Sequence, residues 1–342
     1  MSAPPKNQAA WLDKAGTPPR VGEAPIPVDR PGEIVIKNTA IAINLLDWHM
    51  QDHGVFVQQW PTILGCDVAG EVFEVRPEVL EVGPEVQRFK TGDRVIGHTI
   101  NLVTGRPQDG AFALYVVVRA DKADVLPDKI SFTDGVEAGE ALPGIPTPAL
   151  GLPYPVLQDK APSISKVLVV YGGSSSTGSM VTQIATVAGV HVIAITGPRN
   201  FDLSKRCGAA KVFDHKDPSI IDKVVEAVKK SGCDFVGIFD AISAPEPYAN
   251  DLAILAQLGG GHLACTHPPP TEVPNNVKTG MIYAVNDVAT PVWRDYVTGT
   301  LDAGKLKCLL PPTIVGKGLE YVQEALKMSK TGVSATKLVV EL

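Results

Sequence analysis

Val167-Leu-Val-Val-Tyr171-Gly-Gly-Ser-Ser-Ser-Thr177-Gly178 is the stretch that decides how this chain is read. An apolar, β-rich run enters a tight turn of small residues, and the next segment, Gly178 to Ala188, reads as a helix. A strand, a small-residue turn and a helix N-terminus together form a diphosphate site, because free backbone N–H groups and the positive end of the helix dipole face one anion. A nucleotide cofactor and hydride transfer are therefore the first expectations. Strict G-x-G-x-x-G is absent, so the turn alone also fits a strand-turn-helix with no phosphate. The surroundings favour the nucleotide. His191–Ile195, Lys211–Phe213, Phe235–Phe239 and His262–Cys265 read as further strands, and Asn200–Cys207, Pro218–Lys230 and Pro247–Leu258 as helices. Strands alternating with helices predict βαβ units and a parallel sheet.

The chain has 342 residues, 44% hydrophobic and 20% charged, enough for two sizeable cores. Its net charge of −6, with no basic cluster, argues against nucleic acid as a partner. No apolar run approaches the length of a membrane span, and Met-Ser-Ala-Pro-Pro-Lys at the start lacks the apolar core of a signal peptide. The five cysteines (Cys66, Cys207, Cys233, Cys265, Cys308) are scattered, without C-x-x-C. That pattern suggests neither a disulfide framework nor a cysteine zinc cluster, and a reducing, cytoplasmic setting fits it best.

Up to about residue 130 the chain is different in kind. Ile34–Lys37, Glu71–Val75, Arg94–Ile96 and Leu114–Val118 read as short strands broken by Gly and Pro turns, the pattern of a compact, mostly β domain. A nucleotide domain is expected from Ser131 to about Thr290. An amphipathic helix, Gly318 to Ser329, and a last strand, Lys337–Glu341, follow it. A local repeat, Glu74-Val-Arg-Pro-Glu-Val79 echoed by Glu81-Val-Gly-Pro-Glu-Val86, reads as a lengthened surface hairpin.

Several segments in order resemble the medium-chain dehydrogenase/reductase superfamily: Leu64-Gly-Cys-Asp67-Val-Ala-Gly70, Phe89-Lys-Thr-Gly-Asp93-Arg-Val-Ile-Gly97, Gly110–Tyr115, the turn Gly172–Gly178, and Lys337-Leu-Val-Val. The resemblance covers nearly the whole chain. It is nearest to the zinc-independent quinone reductases and enoyl reductases. Tyr171-Gly-Gly-Ser, Gly197-Pro-Arg-Asn-Phe-Asp-Leu203 and Pro107–Phe112 resemble the fungal trans-acting enoyl reductases that serve polyketide synthases. The resemblance implies an α/β fold: a GroES-like, mostly β substrate domain from residues 1–130 together with 291–342, beside a doubly wound Rossmann domain over 131–290. The cofactor would lie in the cleft between them. Relatives occur as monomers and as homodimers, and the sequence does not choose.

Zinc alcohol dehydrogenases of the superfamily ligate their metal with a Cys, a His-Glu pair and a second Cys. This chain has Asn44 at the first position and Gly65-Cys66-Asp67 at the Gly-His-Glu position, and Pro143–Gly151 offers no Cys or His. A catalytic zinc needs three protein ligands and an open position, so no metal is expected. Cys66 then reads as a small wall residue and Asp67 as an internal hydrogen-bond acceptor.

An acid after the second Rossmann strand selects NAD by binding the ribose hydroxyls. Here that strand ends Ile195-Thr196-Gly197-Pro198-Arg199-Asn200, with no acid at its tip. Arg199 reads either as a clamp for the 2′-phosphate of NADPH or as an ordinary loop arginine. The resemblance favours the first, since the family binds that phosphate in this loop, and it brings in Asn200. His215, where many relatives carry a tyrosine, and Lys216 read as adenosine-phosphate contacts or as a solvated strand end. Gly173, Ser174, Ser175, Ser176, Thr177 and Gly178 form the phosphate turn. Ser175 and Ser176 stand where the quinone-reductase pattern has glycines.

The resemblance places Asn44–His49 under the nicotinamide. Asn44 contacts nicotinamide or ribose, or caps the following helix. His49 donates to an enolate oxygen or the cofactor, or packs beside Trp48. Thr147 matches a segment lining the nicotinamide and substrate. Cys265, Thr266, Met281, Ile282 and Tyr283 follow late strands and are candidates to meet the carboxamide, with sheet core as the alternative. Tyr283 is also a candidate proton donor. The expected activity is NADPH-dependent reduction of an activated C=C bond in an α,β-unsaturated thioester or ketone. That substrate is a small molecule or is carrier-bound, with a polyketide synthase as the implied partner. A quinone or small-enone oxidoreductase is the near alternative, and a catalytically silent NADPH-binding protein the distant one.

Overall fold

The computed structural model describes residues 5–74, 86–141, 150, 152–155, 163–282 and 286–342. The chain forms two units, Met1–Glu140 with Leu310–Leu342 and Ala141–Leu309. Both boundaries fall later than the expected 130 and 290, and the packing shows why. The helix Phe132–Ala141 stays with the first unit: the guanidinium of Arg94 covers the Phe132 ring at 4.4 Å, and a Cβ on Gly135 would strike Leu126. The helices Thr290–Asp295 and Val297–Asp302 stay with the second. The Lys307 beyond them exchanges backbone bonds of 2.9 and 3.1 Å with the Gln183 amide.

The first unit opens with strands β1 (Asn7–Leu12), β2 (Arg20–Ala24), β3 (Glu33–Ile43), β4 (Thr62–Ile63), β5 (Asp67–Glu74), β6 (Arg94–His98), β7 (Tyr115–Arg119) and β8 (Ala123–Val125). β1 is the centre of a small antiparallel sheet ordered β2-β1-β4. Neither β1 nor β2 stood out in the sequence. The repeat around Glu81 lies outside the described residues.

The second unit carries β9 (Lys166–Tyr171), β10 (His191–Thr196), β11 (Lys211–Asp214), β12 (Asp234–Asp240), β13 (Gly261–Cys265) and β14 (Val277–Met281). Among the described residues they form one parallel sheet ordered β11-β10-β9-β12-β13-β14. Chain order reverses at β9, with β10 on one side and β12 on the other. Ligands bind at such a switch point, outside the strand C-termini. β9 and β10 are apolar through Val167–Val170 and Val192–Ile195 because helices cover both sheet faces. Val167, Val169, Ile193, Ile195, Ile238 and Leu263 pack on Val224, Val228 and Ile254 from the helices Ile220–Ser231 and Pro245–Gln257.

The chain then returns to the first unit with β15 (Pro312–Lys317) and β16 (Lys337–Glu341). Between them the predicted amphipathic helix runs as a 3-10 turn, Leu319–Tyr321, and a helix, Val322–Thr331. β16 pairs antiparallel with β3, Leu338 opposite Ile43, and parallel with β15. The main sheet is ordered β15-β16-β3-β5-β6-β8, with β7 also on β3. Its core joins Ile34, Ile36, Ile41, Val68, Val95 and Val116 to Leu326, Leu338 and Val340.

Candidate functional site

The phosphate turn leaves β9 at Tyr171. Gly172 takes φ 78, a conformation that suits glycine. The helix Ser176–Val187 starts two residues before the predicted Gly178, because Ser175 caps it by accepting the Gly178 N–H at 3.0 Å. Gly178 has no room for a side chain: a Cβ there would lie 2.2 Å from the Gly172 carbonyl oxygen. The N–H groups of Ser176 and Thr177 fall in the first helical turn, where helix geometry supplies no acceptor. The Ser176 hydroxyl is shielded from solvent and has no partner among the described residues. Unsatisfied donors at a positive helix end are what an anion would fill.

Ser174 turns the other way and meets the Thr196 hydroxyl at the end of β10, while the Asn200 amide donates to Ser174 Oγ at 3.1 Å. The turn is thereby tied to the loop after β10. That loop carries Arg199, exposed and without a carboxylate partner among the described residues. His215 borders the same loop: a Cβ on Gly197 would lie 3.6 Å from its Cε1. The His215 N–H bonds the Thr196 carbonyl at 3.2 Å. Arg199, His215 and Lys216 thus collect at the tips of two adjacent strands. Asp214, one residue before His215, lies 3.7 Å from its Nδ1.

At the end of β13 the Cys265 thiol is fully buried, and burial pushes it up to about 12. The Thr266 N–H goes to Ser243 Oγ at 2.8 Å and the Asp240 carbonyl at 3.2 Å, and the Ile282 N–H goes to the Cys265 carbonyl at 2.8 Å. These backbone donors, expected at the carboxamide, are committed inside the sheet; Met281 closes β14 opposite Cys265. Thr147 and Tyr283 lie outside the described residues.

In the first unit Asn44 precedes the helix Leu45–His53, and its N–H bonds Asp47 Oδ2 at 2.7 Å. Its side-chain amide is spoken for. Nδ2 donates to Asp67 Oδ2 at 2.7 Å, and Oδ1 accepts from Lys337 Nζ. Both ends of the amide thus answer the protein's own charges. His98 Nδ1 donates to Asp67 Oδ1 at 2.9 Å, and Lys337 Nζ stands 3.7 Å from Asp67. Burial alone would raise the Asp67 carboxyl. The His98 bond, the Lys337 charge and the Asn44 bond outweigh it and hold the carboxyl below its ordinary range. His98 and Lys337 were not singled out in the sequence. A histidine and a lysine bounding apolar strands were the available signal.

His49 stacks on Trp48, ring centroids 3.6 Å apart, as the packing alternative had it. Burial and the neighbouring His53 lower its pKa, so the ring is neutral at neutral pH. Cys66 is buried, its thiol 3.9 Å from Asn101 Oδ1. Among the described residues no group of three or more His, Cys, Asp or Glu side chains could hold a metal ion. None of their helices is long and apolar enough to cross a membrane.

A parallel sheet with a phosphate turn at its switch point, and a β unit built from both chain ends, define a class of oxidoreductase. The chain belongs to the medium-chain dehydrogenase/reductase superfamily. Residues 30–128 match the alcohol dehydrogenase GroES-like domain. The dehydrogenase orsE of Emericella nidulans is 66% identical over 98% of this chain and 99% of its own. The trans-enoyl reductase himH of Aspergillus japonicus is 37% identical over 98% and 97%. A mycobacterial protein solved with NADPH superposes with a TM-score of 0.72 at 20% identity, over 98% of this chain and all of that one.

Two outcomes follow from this geometry. Gly178→Ala pushes a methyl into the Gly172 carbonyl, and in a fluorescence titration it weakens binding of the nicotinamide nucleotide by at least roughly tenfold while the circular dichroism of the fold persists. Asp67→Asn removes the carboxylate that faces the buried Lys337 ammonium and lowers the unfolding free energy by about 3–5 kcal/mol in urea melts; adding Lys337→Met restores most of it. In the wild type the Asp67 contribution is lost only in acid, as pH falls through its depressed folded-state value.

Proposed function

We propose that this chain is an NADPH-dependent, zinc-independent reductase of activated C=C bonds, acting on an α,β-unsaturated thioester or ketone. The observation that carries the nucleotide is the shielded, unpartnered Ser176 hydroxyl beside the first N–H groups of its helix. NADPH in particular is supported by the unpaired Arg199 after a β10 tip that bears Thr196 in place of an acid. The enoyl substrate is supported by the relatives named trans-enoyl reductases. A carrier-bound substrate delivered by a polyketide synthase belongs to the same proposal.

When bound, the reduced nicotinamide would supply hydride to the β-carbon of the conjugated alkene, with water or a side chain giving the α-carbon its proton. The chain's part is to hold the phosphates at Ser174–Gly178, to clamp the 2′-phosphate with Arg199, and to stabilise charge developing on the carbonyl oxygen. His49 is the proposed donor for that oxygen. Zinc independence is supported by the occupied donors. Asp67 already serves Asn44 and His98, and the Lys337 ammonium at 3.7 Å opposes a dication there.

The test is NADPH oxidation with enoyl thioesters, small enones and quinones in parallel. Turnover of enoyl thioesters is expected. Turnover of quinones alone would make the chain a quinone reductase, and binding without oxidation of any would make it a silent nucleotide-binding protein. Arg199→Ala removes a charged hydrogen-bond donor and raises the Kd for NADPH by roughly 10–100-fold, with that for NADH nearly unchanged.

A further inference from the structure

Behind the ends of β9, β12 and β13 lie two acids for which the proposed chemistry has no use. Asp240 ends β12, Asp251 sits in the helix Pro245–Gln257, and both side chains are fully buried. Asp240 Oδ1 accepts the N–H groups of Ile242 and Ser243, each at 2.8 Å. Asp240 Oδ2 and both carboxyl oxygens of Asp251 have no other partner among the described residues. Two adjacent carboxylates cannot both ionise in a dry interior. A single proton resolves two of the three orphaned oxygens: one Asp251 oxygen keeps it and donates to Asp240 Oδ2. Burial, then the Asp240 charge and the bond to Asp240, raise the Asp251 carboxyl well above its ordinary range. Burial raises Asp240 as well, while the Ser243 and Ile242 N–H groups and Asp251 pull it back, so the charge rests on Asp240.

The charge on Asp240 fixes the loop Ala241–Ser243, and that loop reaches both halves of the nucleotide site. The Ile242 side chain lies over the phosphate turn, where a Cβ on Gly172 would come within 2.6 Å of its Cγ1. Ser243 is held at φ 53, a left-handed conformation that strains a serine. Its hydroxyl donates to the Asp240 carbonyl at 3.0 Å and accepts the Thr266 N–H at 2.8 Å.

We propose that Asp251 is a positioning residue for the nicotinamide nucleotide: the proton it shares with Asp240 keeps Ile242 and Ser243 seated between the phosphate turn and the end of β13, and losing that proton loosens the nucleotide. The inference rests on the nucleotide-binding reading above. The titratable groups facing the pair are Tyr171 from β9, Glu246 and Tyr248 from the helix of Asp251, and Cys265 from β13. None is a cation. Nothing there replaces the proton once rising pH removes it, and two buried negative charges then repel across the loop hinge.

The experiment pairs wild type with Asp251→Asn, which keeps a neutral donor to Asp240 but cannot ionise. NADPH is titrated by fluorescence from neutral to alkaline pH, and hydrogen exchange is followed at the Ile242, Ser243 and Thr266 amides without nucleotide. The wild-type Kd is expected to rise by at least roughly tenfold toward the alkaline end, with faster exchange at the three amides over the same range. Asp251→Asn is expected to match wild type near neutrality and to stay flat in both readouts. Asp251→Leu, lacking any donor, is expected to bind weakly at every pH. Identical pH profiles for wild type and Asp251→Asn would overturn the inference. An exchange step in a wild type that takes up no NADPH at any pH would preserve the proton lock and remove the nucleotide reading instead.

Discussion

Asp67 is a full negative charge with no exposed surface, and the first unit is arranged around answering it. A lone carboxylate in that position would be intolerable. Three partners from distant parts of the chain compensate it: Asn44 before the first helix, His98 at the end of β6, and Lys337 at the start of β16. Lys337 is 293 residues from Asn44 in sequence and hydrogen-bonds it in space. The last strand is therefore joined to the fold by charge as well as by its ladder with β3. The same network occupies both ends of the Asn44 amide.

The second unit depends on close backbone approach. Gly172 and Gly178 nearly touch, so the strand can turn straight into a helix and point its first N–H groups outward. Hydroxyls have replaced glycine around them without filling the turn. Ser175 spends its oxygen as a cap, Ser174 as a tie to β10 and Asn200, and Ser176 leaves its own unspent. Three adjacent serines thus have three different tasks, and only the backbone directions separate them.

What the sequence made legible follows from how far each signal reaches. β9 and β10 could be read from Val167–Tyr171 and His191–Ile195 because a strand buried on both faces is a continuous apolar run. β14 hides in Val-Lys-Thr-Gly-Met because an edge strand needs no such run. β1, β2 and β15 were missed for a like reason: each mixes polar and small residues, and its partner determines its state. The helix start at Ser176 was misplaced because a cap is a matter of φ and ψ, and Ser175 looks the same in sequence whichever way it turns. Among the site residues, the turn, Arg199 and His215 were visible through local pattern. Lys337, His98, Asp240 and Asp251 were not, since each matters through a partner that only the fold brings near.

Asp67 and Asp240 are thus carboxylates buried at strand ends, one in each unit, and they are compensated differently. Asp67 at the start of β5 is balanced by a lysine and a histidine, both supplied by the protein itself. Asp240 at the end of β12 is balanced by two N–H groups and a borrowed proton. A side chain from the last strand fixes a scaffold because it is part of the chain. A proton can be taken back by the solvent, and the element it holds stays conditional. That element is the loop over Gly172, so the unit with the exchangeable compensation is the one that carries the phosphate turn. Rigidity is assigned where strands from both chain ends must meet, and adjustability where a ligand must come and go.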